Sequence, residues 1–247
     1  KHVIVLGAGA SGQAAAALAL AHGADVSVHD SRDVIAAVPA GATSVSSATV
    51  STGEASNCDV LVLSPGIDGK SDFVRAYRNN AGEMIGEIEL ASRYYNGRII
   101  AITGTNGKTT TTELVERILN HRGISCIPCG NYGTPFAELA LMDEQPEIAA
   151  VEVSSFQLET IVDFHPDVVI WLNFSADHMD RYATIEDYKQ AKLRVFENID
   201  EHNNVVIRAG EDVGELKAEK ITFSTEDAAD YTLHDGWVCC GEEKIIQ

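Results

Sequence analysis

Basic side chains are scarce in this 247-residue chain. Lys and Arg number 18 against 37 Asp and Glu, a formal net charge of −19. That balance excludes the basic footprint of nucleic-acid binding and disfavours anionic membranes. Any phosphate ligand must then be held by local devices: helix N-termini, a few cations and divalent metal. No run of 18 or more apolar residues exists, so no membrane span is expected. A secretory leader is not expected either, because a polar, Gly-rich turn interrupts the opening stretch at Gly7. A second cysteine pair suited to zinc is also lacking. Cys126 and Cys129 form a lone C-x-x-C, and the adjacent Cys239 and Cys240 are poorly spaced to complete it. With Cys58, these residues read as reduced thiols of a cytoplasmic protein. Neither internal repeats nor low-complexity segments occur.

Apolar strands alternate with helical stretches, the α/β pattern of parallel sheets. Strands are expected at His2–Leu6, Asp25–His29, Val60–Leu63, Arg98–Thr103, Ile124–Pro128, Ile148–Val153 and Val168–Asn173. Helices are expected at Gly12–His22, Ser71–Asn80, Glu87–Tyr95, Lys108–His121 and Ile185–Asn198. From Asn204 the pattern turns to short polar strands. The βα alternation restarts near Asn96-Gly97, which predicts one nucleotide-type domain over 1–96 and another over 97–247.

Two glycine-rich turns carry the chemistry. Gly7-Ala8-Gly9-Ala10-Ser11-Gly12 is a G-x-G-x-x-G between a strand and a helix, the context in which backbone N–H groups approach a diphosphate. Asp30, at the end of the second strand, occupies the place of a ribose-binding acid in NAD proteins. Arg32 is a candidate for a phosphate or base contact. The turn alone does not choose between a dinucleotide and a nucleotide-sugar diphosphate. A nicotinamide-dependent oxidoreductase, or a non-catalytic nucleotide-binding module, therefore stays open at this point.

The second turn, Thr103-Gly104-Thr105-Asn106-Gly107-Lys108-Thr109-Thr110, departs from the usual phosphate loop, because Ile102 stands where the first glycine is expected. Its working parts remain: amides around Gly107 to cradle phosphate, Lys108 to reach the β and γ phosphates, and Thr109 to ligate Mg²⁺. Glu152 interrupts an apolar strand, which is costly unless the acid is paired or metal-bound; a surface-facing acid at a strand end is the alternative. His178 follows the Val168–Asn173 strand, at the edge where ligands of open α/β sheets collect. By periodicity Ile185, Tyr188, Leu193, Phe196 and Ile199 form the apolar side of the last helix, and Lys192 reads as a solvated residue.

Taken in order, the Gly7–Gly12 turn, Ser64-Pro65-Gly66-Ile67, Gly104–Thr110, Gly130-Asn131, Glu152-Val153-Ser154-Ser155-Phe156-Gln157-Leu158, Asp177-His178-Met179-Asp180-Arg181 and Ala191-Lys192-Leu193-Arg194 resemble the Mur ligases, and among them the members that add D-glutamate. The resemblance runs to about Asn204. It implies a Rossmann-like UDP-binding domain, then a P-loop NTPase-like central domain, with a third, carboxy-terminal domain that this chain stops before. It implies a cytoplasmic, monomeric, ATP-dependent amide ligase of peptidoglycan precursor synthesis. UDP-N-acetylmuramoyl-L-alanine, ATP and D-glutamate are its ligands, and a ligase using another amino acid is the near alternative.

Residue by residue, the resemblance assigns ATP to Gly104, Thr105, Asn106, Gly107, Lys108, Thr109 and Thr110. Mg²⁺ falls to Thr109, Glu152, His178 and a carbamylated Lys192. The UDP substrate falls to Ala10, Ser11, Ser31, Arg32, Ser64, Pro65 and Gly66 at one end, and to Asn131, Ser154, Gln157 and His178 at the other. Lys108, Glu152, His178 and Lys192 would be the catalytic set. The piece as given is expected not to complete ligation by itself.

Overall fold

The computed structural model describes residues 1–32, 38–46 and 57–246. Its first half runs β1 (His2–Leu6), α1 (Ala10–Ala21), β2 (Asp25–Asp30), β3 (Thr43–Ser46), β4 (Cys58–Leu63), α2 (Asp72–Arg78), β5 (Ala81–Gly86) and α3 (Glu87–Ser92). The strands form one sheet in the order β3-β2-β1-β4-β5, every pair parallel. This is a Rossmann-like half, in which the strand order reverses between β1 and β4. A ligand crevice belongs at the carboxyl ends of those two strands. The alanines of α1 explain its closeness to the sheet: Ala14, Ala15, Ala16 and Ala19 are buried beside Leu18. Ile4, Leu6, Leu61 and Tyr77 fill the core on the α2 side, each contributing about 1.5–3 kcal/mol on burial.

The second half comprises β6 (Arg98–Thr103), α4 (Lys108–His121), β7 (Cys126–Gly130), α5 (Phe136–Ala140), β8 (Ile148–Glu152), α6 (Ser155–Leu158), β9 (Val168–Trp171), α7 (Ile185–Leu193) and five strands, β10 (Asn204–Arg208), β11 (Glu219–Ser224), β12 (Tyr231–His234), β13 (Trp237–Cys240) and β14 (Glu243–Ile246). The sheet order is β14-β13-β12-β11-β10-β9-β6-β8-β7. Pairing is parallel from β8 through β6, β9, β10 and β11 to β12 and antiparallel from β12 to β14. The helix expected over 185–198 stops at Leu193 and tightens into a 3₁₀ turn over Arg194–Phe196. The short β3, β5, α5 and α6 carry no clear period in the sequence.

The chain does not divide into two consecutive blocks. One compact unit contains Lys1–Gly97 together with Cys129–Pro146 and Phe156–Phe164; the other contains Arg98–Pro128, Glu147–Ser155 and His165–Gln247. Sequence pattern places both returning segments after the 96/97 boundary, yet they pack with the first sheet. Two acids on α3 receive them. Glu89, fully buried, accepts the backbone N–H groups of Val162, Asp163 and Phe164 at 2.8–3.1 Å and pairs with Arg93 Nε at 2.9 Å. Arg93 also grips Glu83 through both terminal nitrogens. Glu87 accepts the Ala137 N–H at 2.6 Å. Among the described residues, no helix is long and apolar enough to cross a membrane.

Without Glu89, Arg93 keeps its pairing with Glu83, but the N–H groups of Val162, Asp163 and Phe164 lose their acceptor, at about 1–3 kcal/mol for a donor left buried and unpaired. Glu89→Ala is therefore expected to lower the urea midpoint of the first unit sharply, with faster amide exchange over 160–164. A midpoint equal to that of the unsubstituted protein would refute the role given to Glu89.

Candidate functional site

The crevice expected between β1 and β4 is present in the first unit. Gly7, Gly9, Ala10 and Ser11 line it from the first turn, and Asp30 and Ser31 from the end of β2. Ser64, Pro65, Gly66 and Ile67 line it from the end of β4, and Gly130, Asn131 and Gln157 from the returning segments; it encloses about 400 Å³. The turn is held tightly. Ser64 Oγ donates to the Gly7 carbonyl at 3.3 Å, and a Cβ at Gly12 would overlap that same carbonyl oxygen. Only glycine lets α1 leave the turn at this angle. Asp30 accepts the Ala8 N–H at 2.8 Å and receives Arg32 through Nε and Nη2, each at 2.8 Å. Those Arg32 hydrogen bonds hold the Asp30 carboxyl well below the usual carboxylate range. Arg32 thus braces Asp30, and it is not among the residues lining the crevice. Ser154 stands in the second unit, directly after β8.

The second unit gathers a different set. Gly107 caps α4 with φ +85°, a left-handed conformation that favours glycine and turns the first helical N–H groups toward the loop. The loop is braced from behind: Asn173 Oδ1 accepts the Asn106 N–H at 2.9 Å, and the Thr105 hydroxyl donates to the Ser175 carbonyl at 3.1 Å. Asn106, Gly107 and Thr110 face solvent. Thr109 Oγ1 donates to Glu152 Oε2 at 2.7 Å. Glu152 lies beside Ile102 in the β6–β8 register and is only 2% exposed. A hydroxyl and a buried carboxylate at a helix N-terminus are oxygen donors suited to magnesium, which takes one or two protein ligands and completes its shell with phosphate and water.

Two lysines converge on one oxygen. Lys108 Nζ donates to the Gly104 carbonyl at 3.0 Å and to the Thr105 carbonyl at 2.9 Å. Lys192 Nζ donates to the same Gly104 carbonyl at 2.8 Å and lies 3.4 Å from Thr103 Oγ1. Lys192 is 1% exposed, which corrects its reading as a solvated helix residue. The buried stripe of α7 is Tyr188, Ala191 and Lys192, continued by Val195 in the 3₁₀ turn, whereas Ile185 is exposed. The capping box of Thr184 and Asp187 starts the helix so that position 192 faces inward. Burial first, and the Lys108 charge second, lower its pKa to about 7, against the opposing pull of Asp177 and Glu152.

His178 lies at the edge of this cluster, beside the Tyr188 ring that also faces Lys192. It sits on an exposed turn with φ +54°, its Nε2 3.8 Å from Asp177 Oδ2, its ring edge-on to Tyr188. Among the described residues no three His, Cys, Asp or Glu side chains converge to hold a metal. Cys126 is buried, and that burial pushes its thiol to about 11. Residues that motif reading passed over are Glu87, Glu89 and Tyr188. The two glutamates carry a possible signal, a pair of acids inside an otherwise apolar helix.

A family model described as the Mur ligase middle domain matches residues 102–238, more than half of the chain. This chain belongs to the Mur ligase family. The chain is 44% identical over 171 residues to the UDP-N-acetylmuramoylalanine–D-glutamate ligase of Alkaliphilus metalliredigens, an overlap covering 67% of this chain and 38% of that protein. It is 40% identical over 219 residues to the enzyme of the same name from Geobacter metallireducens, covering 86% of this chain and 48% of that one. The chain thus spans less than half the length of these two relatives. Its fold resembles that of the UDP-N-acetylmuramate:L-alanyl-gamma-D-glutamyl-meso-diaminopimelate ligase of Neisseria meningitides, with a TM-score of 0.59 at 17% identity, over 99% of this chain and 85% of that one.

Removing the Lys108 charge takes away a repulsion that favours neutral Lys192. In Lys108→Met the Lys192 titration, followed by side-chain NMR of labelled lysine, is expected to move up from its midpoint near 7. An unchanged midpoint would show that Lys108 does not act on it.

Proposed function

We propose that the protein to which this chain belongs is an ATP-dependent ligase that joins D-glutamate to UDP-N-acetylmuramoyl-L-alanine. The single observation carrying this reading is the Thr109–Glu152 contact at 2.7 Å at the head of the Lys108 helix. It supports the reading because a hydroxyl and a carboxylate at a helix N-terminus suit a magnesium ion carried by a nucleoside triphosphate. The names of the similar proteins supply the amino acid and the acceptor.

In this reading the UDP end lies in the crevice of the first unit. Its diphosphate meets the N–H groups of the Gly7–Gly12 turn, with Ala10, Ser11, Ser31, Ser64, Pro65 and Gly66 around it. Arg32 holds Asp30 in place there. Asn131 and Gln157 serve the muramoyl-alanine end. ATP lies on Gly104–Thr110, and Lys108 swings from the two loop carbonyls onto the γ-phosphate. The substrate carboxylate attacks the γ-phosphorus and ADP leaves. The amine of D-glutamate then attacks the acyl carbon, and phosphate departs with formation of the amide. Magnesium, when bound, would spread the charge of the phosphate oxygens. Thr109 and Glu152 would hold one ion, and His178 and Lys192 would serve a second.

Lys192 suits carbamylation because its buried amine has a neutral fraction near pH 7. A neutral amine adds to CO₂ and releases one proton, leaving an anionic carbamate in place of a cation.

In the full-length protein, Glu152→Gln is expected to lower D-glutamate-dependent phosphate release by about 10²–10³-fold, the scale of losing one preorganised electrostatic group. Retained activity would refute the magnesium role. Lys192→Ala is expected to regain part of its lost rate when a small carboxylate such as formate is added; full activity without it would refute the carbamate.

A further inference from the structure

The reaction proposed above gives no role to Glu87, a buried acid on α3. Glu87 is 1% exposed. One carboxyl oxygen accepts the Ala137 N–H at 2.6 Å. The other oxygen, Oε2, has no hydrogen-bond partner among the described residues. A half-satisfied buried carboxyl group costs stability, whereas an apolar side chain there would leave the Ala137 N–H without its acceptor. Burial raises its pKa to about 7, with Glu138 on α5 adding to the rise.

Phe136 and Ala137 open α5, a five-residue helix whose N-cap, Pro135, offers no side-chain hydrogen bond. The first N–H groups of a helix have no partner within it, and Glu87 supplies one. Immediately before α5 runs the turn that carries Gly130 and Asn131 into the crevice wall. This turn is closed on itself: the Gly130 N–H donates to the Thr134 carbonyl at 2.9 Å, and Cys129 and Thr134 form a bridge. Such a short closed loop has little slack between its anchor at Phe136–Ala137 and its tip at Asn131.

We propose that Glu87 is a positioning residue for the substrate crevice, its carboxyl group clamping the start of α5 and thereby fixing the Gly130–Asn131 turn against the Gly7 and Ser64 loops. The proposal rests on the reading of that crevice as the UDP-substrate site. Glu87 touches neither substrate nor ATP in this scheme. Its loss is therefore expected in the affinity for one substrate and not in the chemical step.

The test uses the full-length enzyme with Glu87→Leu and Glu87→Gln. Steady-state kinetics are measured against UDP-N-acetylmuramoyl-L-alanine and ATP, and amide exchange is followed over 129–140. Glu87→Leu is expected to raise KM for the UDP substrate about tenfold, the effect of losing one charge-assisted hydrogen bond. KM for ATP and kcat should stay within about twofold of the parent, and exchange at Phe136 and Ala137 should quicken. Glu87→Gln keeps an oxygen acceptor and is expected to recover most of the lost affinity. The proposal is overturned by an unaltered KM in Glu87→Leu, by parallel losses in both KM values and kcat, or by a Gln variant as impaired as the Leu variant. Should Glu87→Leu fail to fold, Glu87→Asp, which withdraws the carboxyl by one methylene, is judged by the same criteria. An unsubstituted enzyme that binds NADH and not the UDP substrate would remove the crevice reading and this proposal together. Normal UDP-substrate binding with an indifferent Glu87→Leu removes the proposal alone.

Discussion

A chain with twice as many acidic as basic side chains sets a net field against anions. A phosphate contact in such a chain would have to be built from backbone N–H groups and a few cations placed at close range, where local fields outweigh net charge. Both sheets meet this constraint in the same way, by ending a parallel strand in a glycine turn that exposes the first amides of a helix. Cations are spent sparingly. Arg32 is committed to Asp30, and the two lysines nearest the second turn lean on one carbonyl of that turn.

That crowding of ammonium groups has a chemical consequence. Burial first, and the neighbouring Lys108 charge second, make the Lys192 ammonium easier to deprotonate than that of an ordinary lysine. Lys108 stays at the partly solvated loop, able to follow a phosphate. Lys192, walled by Tyr188 and Thr103, becomes a base near neutral pH. Position on α7, and not residue type, separates the two roles.

Acids do structural work in the first unit. Glu87 and Glu89 capture backbone N–H groups from chain segments that come much later, so that the crevice is finished by residues belonging to neither β1 nor β4. Asn131 and Gln157 line the crevice from segments whose neighbouring N–H groups are held by side chains outside its lining. The return of those segments also explains why a boundary drawn at one sequence position describes only the first crossing of the chain.

Local pattern was enough for the α/β class, for β1, β6 and α4 to the residue, and for both glycine turns, because hydrophobic period and glycine placement are properties of neighbouring residues. It was enough, too, to nominate Glu152, since a charge inside an apolar strand is conspicuous. Tertiary structure alone decided that Lys192 is buried: the inward face of α7 follows from its start at the Thr184 capping box and from contact with β6 and its loop, neither of which periodicity contains. It alone drew Cys129–Pro146 and Phe156–Phe164 into the first unit. Those associations rest on carboxylate-to-backbone hydrogen bonds between residues fifty or more positions apart, and backbone N–H groups, present at nearly every residue, leave no mark in a sequence.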